Sequence, residues 1–359
     1  MTLRTPDDTA DRRTGELSGR ARRAAAIASC VRRSVREVSR RSTFRLGSPG
    51  RLRKGRQPVS IGIEVSRETP DTYDDDTPLA RATLQAMEVR SGDLTMPRPR
   101  HRRVFCVANQ KGGVGKTTTT VNIGVALALA GLHVLVIDLD PQGNASTALG
   151  VDRKAGTPSV YDVLIGEITA AEAIQTCPDA PRLGCVPATI DLAGAEIELV
   201  SMVSRETRLK RALEKIDTYY DYIFIDCPPS LGLLTVNAMA AVDEVLIPIQ
   251  CEYYALEGLG QLLKNIDLVK AHLNPDLDVS TILLTMYDGR TKLADQVASE
   301  VRKHFGPKVL TASIPRSVKV SEAPGFGQSV LTYDPGSRGA MSYLDAAREI
   351  ADRGAKELS

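Results

Sequence analysis

A doubly wound α/β domain, with a mostly parallel sheet flanked by helices on both faces, is the fold this 359-residue sequence predicts. Three observations carry that expectation. From Val104 onward, short apolar runs alternate with helical patterns, the grammar of β-α units. Most of those runs are apolar on both faces, as strands of a parallel sheet covered by helices on each side must be. The first run leads through a glycine-rich turn, NQKGGVGKTTTT at 109–120, into a helix, which is where such a sheet binds phosphate.

Taken in order, the expected strands are VFCVAN (104–109), HVLVID (133–138), LGCVP (183–187), YIFID (222–226), EVLIPI (244–249), STILLTM (280–286) and VLTASI (309–314). Helical patterns fall between them, near 116–130, 191–215, 231–241, 255–273, 291–304 and 338–353. Gly131 directly follows the first helix and is expected to cap it. Upstream, residues 1–60 are rich in Arg and Ser and poor in large apolar residues, the composition of a segment that cannot bury enough surface to fold. They read as a disordered Arg-rich arm, or equally as sequence upstream of a later start at Met87 or Met96. Residues 61–103 hold an acidic cluster (Asp74, Asp75, Asp76), then a short helix over Thr77–Val89 with Leu79, Leu84 and Met87 roughly on one side. MPRPRHRR at 96–103 reads as an extended linker. Residues 104–359 form the expected catalytic domain.

The net charge of +2 conceals an asymmetry. Residues 1–60 hold fifteen Arg and one Lys against five acidic residues, a net +11, whereas 104–359 carry −8. Attraction to nucleic acid must therefore come from a local patch or from the arm. Six cysteines without C-x-x-C or zinc spacing suggest reduced thiols in a cytosolic protein. The apolar run before Cys30 is too short for a signal peptide, and runs such as VLVID are too short to span a bilayer.

The chemistry gathers around the glycine turn. Gly112, Gly113 and Gly115 let backbone amides face a phosphate chain, the helix start adds positive potential, Lys116 reaches the β/γ oxygens, and the Thr117 hydroxyl can ligate Mg²⁺. The pattern G-x-x-x-x-G-K-[ST] fails at its first position, where Gln110 stands, and a second lysine, Lys111, lies beside the gap. YIFIDCPPS ends the fourth strand at Asp226, placed to hold Mg²⁺ through water. VIDLDPQGN puts Asp138 and Asp140 at the same sheet edge, the carboxyl ends of strands where open α/β folds bind ligands.

KGGVGKTT, DLDPQGNAS and DCPPSLG together resemble the deviant Walker A class of P-loop NTPases, and most of all the ParA/Soj chromosome-partitioning ATPases. The resemblance continues through AGAEIELV, QCEYYALEG, LTMYDGRT, IPRSVKVSEAPG and YDPGSRGA, covering roughly 104–353. It implies a Mg²⁺-dependent ATPase with ATP or ADP as cofactor. The nucleotide would lie on the loop formed by Lys111, Gly112, Gly113, Val114, Gly115, Lys116, Thr117 and Thr118, with Pro315 and Ser317 against the adenine. The family commonly has Asn where this chain has Ser317. Thr117, Asp226 and, secondarily, Asp138 would serve the metal, and Asp140 would orient the attacking water. Lys111 would cross an ATP-bound homodimer to the opposite nucleotide. A cation five residues before Lys116, on the other limb of the loop, gains most from a second set of phosphates, which ties nucleotide state to dimerisation. The resemblance also implies non-specific DNA binding through Arg290 and Lys319, joined by Arg316 and Lys292, a ParB-type partner, and a cytoplasmic, nucleoid-associated location.

Two other readings compete. An iron–sulfur ATPase shares the two-lysine loop but needs cysteines that bridge a cluster across a dimer. A MinD-like membrane-cycling ATPase needs a basic amphipathic C-terminal helix. Here SYLDAAREIADRGAKELS has small apolar positions and balanced charge, so it is expected to pack Tyr343, Leu344 and Ile350 on the sheet, without stable membrane association.

Overall fold

The β-branched and aromatic runs pair side by side because each is apolar on two faces and must be covered on both. In this computed structural model, which describes residues 78–216, 219–253 and 255–356, they form one eight-stranded sheet. The strands are β1 (Arg103–Val107), β2 (Val134–Asp138), β3 (Gln175–Cys177), β4 (Ala180–Val186), β5 (Tyr222–Asp226), β6 (Glu244–Gln250), β7 (Asp278–Tyr287) and β8 (Val309–Pro315). Their order is β3-β4-β2-β5-β1-β6-β7-β8, and every neighbouring pair is parallel except β3 with β4. The arm at 1–60 and the acidic cluster at 74–76 lie outside the described residues.

Alternation along β5 shows how the two faces are used. Tyr222 and Phe224 enter one apolar layer with Phe105, Val134 and Val136. Ile223 and Ile225 enter the other with Leu135, Ile137, Val245 and Ile247. On the first face lie helix α1 (Pro78–Ser91), helix α2 (Lys116–Leu129) and, near the chain end, Arg338–Ala355. That last helix is capped by the Ser337 hydroxyl accepting from Ala340 N–H, and it buries Tyr343, Leu344 and Ile350 as expected. Gly131, at φ +89°, follows the Ala130 cap of α2 in the left-handed conformation that favours glycine.

Four expectations need correction. The single helix expected over 191–215 is two, α3 (Leu192–Val200) and α4 (Arg208–Leu213). Between them Ser204 turns to φ +52°, and the Arg205 carbonyl is taken by Asn237 Nδ2 at 2.7 Å, so local polar bonds replace the helical ladder. Strand β3 was not expected: it is three residues long and closes an antiparallel hairpin on β4 through Pro178-Asp179. Helix α1 forms, but Leu84 and Met87 face solvent while Gln85 is buried, its Nε2 donating to Asp345 at 3.5 Å. The 96–103 segment is not a free linker: Met96 is buried, Arg100 N–H donates to the Gly354 carbonyl, and Arg103 already belongs to β1.

Candidate nucleotide-binding site

Register places the acids. β5 lies between β1 and β2, with Asp226 opposite Val107 on one side and opposite Asp138 on the other. Two carboxylates thus end adjacent parallel strands in the same row, and Asp140 follows two residues later. All three are buried, Asp138 and Asp226 completely.

The glycine turn folds over this row. Gly113 and Gly115 take positive φ, +74° and +91°, and space around the Cβ positions of Gly112 and Gly113 is open, as a loop that wraps phosphates requires. Thr117, in the first turn of α2, donates to Asp226 Oδ2 at 2.7 Å, and Thr120 donates to Oδ1 at 3.3 Å. Lys116 is 6% exposed, and its Nζ reaches back to the Lys111 carbonyl at 3.4 Å. The loop is held from outside as well. Asn109 Oδ1 accepts from Lys111 N–H, Asn109 Nδ2 donates to the Pro248 carbonyl, and Thr285 Oγ1 donates to the Val114 carbonyl at 2.8 Å. The Thr118 carbonyl accepts from Asn122, which anchors Val330.

Electrostatics at this edge are those of a site built for charged ligands. Burial pushes the Asp226 carboxyl well above the usual carboxylate range, and the Asp138 charge adds to the effect against the Thr117 hydrogen bond. Asp138 is pushed up to about 6 by burial, against hydrogen bonds from Ser146 N–H (2.8 Å) and Ser146 Oγ (2.6 Å). Burial also lowers Lys116, against the attraction of Asp226, Cys227 and Asp140. Buried carboxylates beside a hydroxyl fit a divalent cation, and a desolvated lysine beside glycine amides fits phosphate.

The sequence of Soj, the sporulation initiation inhibitor protein of Bacillus subtilis, is 55% identical over 252 residues, 70% of this chain and 99% of that protein. The chain belongs to the ParA/Soj family of chromosome-partitioning ATPases. A family model described as an AAA domain matches residues 102–279. The chromosome partitioning protein ParA of Caulobacter vibrioides is 53% identical over 254 residues, 70% of this chain and 94% of that protein. Among solved structures, one described as cobyrinic acid a,c-diamide synthase from Mycobacterium smegmatis, with bound ATP analog and magnesium, is 42% identical with a TM-score of 0.60. It covers 70% of this chain and 93% of that one.

Within this family member the residues expected at the site fall into two groups. The loop, Lys116, Thr117, Asp138, Asp140 and Asp226 converge at the edge of β1, β2 and β5. Pro315 ends β8, beyond β6 and β7 in the sheet order, and Ser317 precedes the short helix Val318–Glu322. Pro315 lines a cavity of about 500 Å³ with Tyr287, Arg290, Arg316 and Arg338. Arg290 and Arg316 are thus brought together there. Lys292 opens the helix after Arg290, and Lys319 lies on the Val318–Glu322 helix. Arg290 is held by Asp288 in a two-pronged pair at 2.8 Å, and Lys319 pairs with Glu322 at 3.0 Å. Lys111 is paired with Glu252 of its own chain, in the turn after β6.

Sequence reasoning missed Glu252, Ser146, Thr285 and Arg338. Arg338 and Glu252 stand inside the quoted motifs YDPGSRGA and QCEYYALEG, which was the available signal. Ser146 and Thr285 likewise stand inside the quoted motifs DLDPQGNAS and LTMYDGRT, and act through buried hydrogen bonds.

Proposed function

We propose that this chain works as a Mg²⁺-dependent ATP switch whose ATP-bound homodimer binds DNA non-specifically and, with a ParB-type centromere-binding partner, moves replicated chromosomes or plasmids apart. Family membership and the convergence of a two-lysine loop on Thr117 and Asp226 support it. In this reading Lys116 and the loop amides hold the β- and γ-phosphates. Thr117 would hold Mg²⁺, with Asp226 acting through water and Asp138 secondarily, and the ion would supply charge neutralisation at the phosphoryl group.

Asp140 positions the attacking water. Its Oδ1 is occupied by the Gln142 N–H at 3.0 Å, and among the described residues Oδ2 has no protein partner, which leaves it for water. Lys111 stands on the outer limb of the loop, a third exposed, and serves the nucleotide of the second subunit. Hydrolysis stays slow until partner and second subunit complete the site, so ATP acts as a timer. Arg290, Lys292, Arg316 and Lys319 supply phosphate contacts that dimerisation doubles. The C-terminal helix has spent its apolar face on the sheet, which disfavours the membrane-cycling alternative. Among the described residues no helix is long and apolar enough to cross a membrane.

The test is DNA binding as a function of salt, with ATP, with ADP and with Lys111→Ala. The expected result is tight binding only with ATP and an intact Lys111, with log–log slope of about −0.9 per phosphate contact. Binding indifferent to nucleotide and to Lys111 would overturn the switch.

A further inference from the structure

We infer that Phe326, stacked on Tyr333 beside Lys319, is a platform for a nucleobase, so that the DNA surface reads a base face as well as phosphates. The inference rests on the DNA-binding reading above and adds a ligand chemistry to it.

Phe326 is 66% exposed, yet its ring is not loose. It stacks on Tyr333 with centroids 5.1 Å apart and planes 22° from parallel. Tyr333 packs in turn on the apolar layer beneath and donates to Glu322 Oε2 at 3.3 Å. One face of the phenyl ring is therefore supported and the rest is left to water. Exposing a ring of that size forfeits most of the free energy that burying it would give.

The backbone under the ring is fixed. Pro324 stands second in the tight turn Ala323–Phe326, and Gly327 closes it at φ +67°. Gly327 lies against the backbone of Thr147 and Gly150, where a Cβ would meet their atoms at 3.5 Å. Gln328 N–H donates to the Ala323 carbonyl, and Gln328 Nε2 to Asp179 at 2.8 Å. A rigid aromatic on a preorganised turn loses little entropy when a flat partner stacks on it.

The cation beside the platform is Lys319, which pairs with Glu322 at 3.0 Å and can exchange that carboxylate for a phosphate. Lys319 Nζ lies 5.5 Å from the centroid of the Tyr333 ring. The Val318–Glu322 helix joins this cluster to the arginine-lined cavity: Gly339, next to Arg338, is so close to it that a Cβ there would meet Val320 at 2.4 Å and Ser317 at 3.3 Å. Lys319 thus flanks the exposed aromatic step, on a helix that borders the cavity lined by Arg316 and Arg338. A basic track with interleaved aromatic rings is how proteins hold bases without reading their sequence, by stacking on the π face that every base has. The base comes either from a single strand or from a step of duplex that the ring wedges open.

The chain contains no tryptophan, so Phe326→Trp makes position 326 the sole indole emitter. The full chain with ATP and Mg²⁺ is titrated with a single-stranded oligonucleotide, a duplex of the same sequence, and heparin, a polyanion without bases. Quenching by at least one DNA form and not by heparin is the expected result, and the form that quenches identifies the source of the base. In parallel, Phe326→Ala is expected to weaken that form by about 5- to 150-fold with an unchanged salt slope. Lys319→Ala is expected to lower the slope by about 1. DNA binding without quenching, equal quenching by heparin, or an unaltered affinity in Phe326→Ala would overturn the platform alone. Absence of DNA binding by the unchanged chain would remove the DNA-binding reading and the platform with it.

Discussion

Glu252→Gln is expected to strengthen the ATP-bound dimer. In the single chain the Lys111 ammonium is satisfied by the Glu252 carboxylate, with the two side chains 33% and 38% exposed. A lysine that serves the opposite nucleotide must first leave that carboxylate. Ion pairs at such exposure are worth roughly 0.2–1 kcal/mol, because solvent screens them and two flexible side chains are immobilised. A symmetric dimer breaks two of them, so removing the pair saves about 0.4–2 kcal/mol, a roughly 2- to 30-fold lower dimer Kd. Glutamine keeps the size and removes the charge. The assay is sedimentation of the ATP-bound chain in an Asp140→Ala background, which holds the nucleotide unhydrolysed. Lys111→Ala is expected to abolish the dimer, and Lys111→Ala/Glu252→Gln to behave as Lys111→Ala alone. An unchanged or weakened dimer in Glu252→Gln, with Lys111→Ala still defective, would refute the competition between carboxylate and partner.

Three further outcomes are expected. Thr117→Val removes the 2.7 Å donor to Asp226, so hydrolysis should fall about 100-fold or more. Leaving the buried carboxylate short of a donor should also cost about 1–3 kcal/mol in urea melts of the nucleotide-free protein. Asp138, with its carboxyl raised to about 6 from an ordinary 3.8, contributes stability that is full below about pH 4 and is lost as pH rises through 6. Metal-free Asp138→Asn should therefore gain about 3 kcal/mol relative to the unchanged chain between pH 4 and 7, and a flat difference in denaturant melts would contradict this. Asp288 is held down to about 2 by the hydrogen bonds from Arg290. Asp288→Asn frees that guanidinium, so DNA affinity should rise and the salt slope steepen by up to about 0.9, measured by anisotropy at several salt concentrations.

The fold was legible where strands are long and apolar on both faces: VLVID and YIFID could be nothing but buried strands, and they frame the acid row. The phosphate loop was legible because its chemistry is local, a few backbone amides, one lysine and one hydroxyl within a dozen residues. What escaped was set by long-range bonds. The break at Ser204 depends on Asn237, distant in sequence, capturing a carbonyl. The ion pair of Lys111 depends on β6 lying beside β1, a topological fact no window of sequence contains. Helix α1 was expected with Leu84 and Met87 on one side, but its packing against the C-terminal helix selected Gln85 instead.

The same topology sets the charge balance of the site. Setting Asp226 and Asp138 in one row forces two buried carboxylates together, and both are driven toward protonation, while Lys116 nearby is driven toward neutrality. Each shift means that the charged form is less stable here than in water, so the nucleotide-free fold holds an electrostatic cost that hydrophobic burial must offset. A divalent cation bound beside the carboxylates and phosphates bound beside the lysine would restore the charged forms of both at once. Ligand binding then draws on relief of that cost in addition to its own contacts, and the coupling runs both ways: whatever loosens the acid row weakens nucleotide binding. The loop that closes on the phosphates is bonded through Val114 to Thr285, and Thr285 accepts Cys251 N–H beside Glu252. One residue of β7 therefore ties the glycine loop to the turn that holds Lys111.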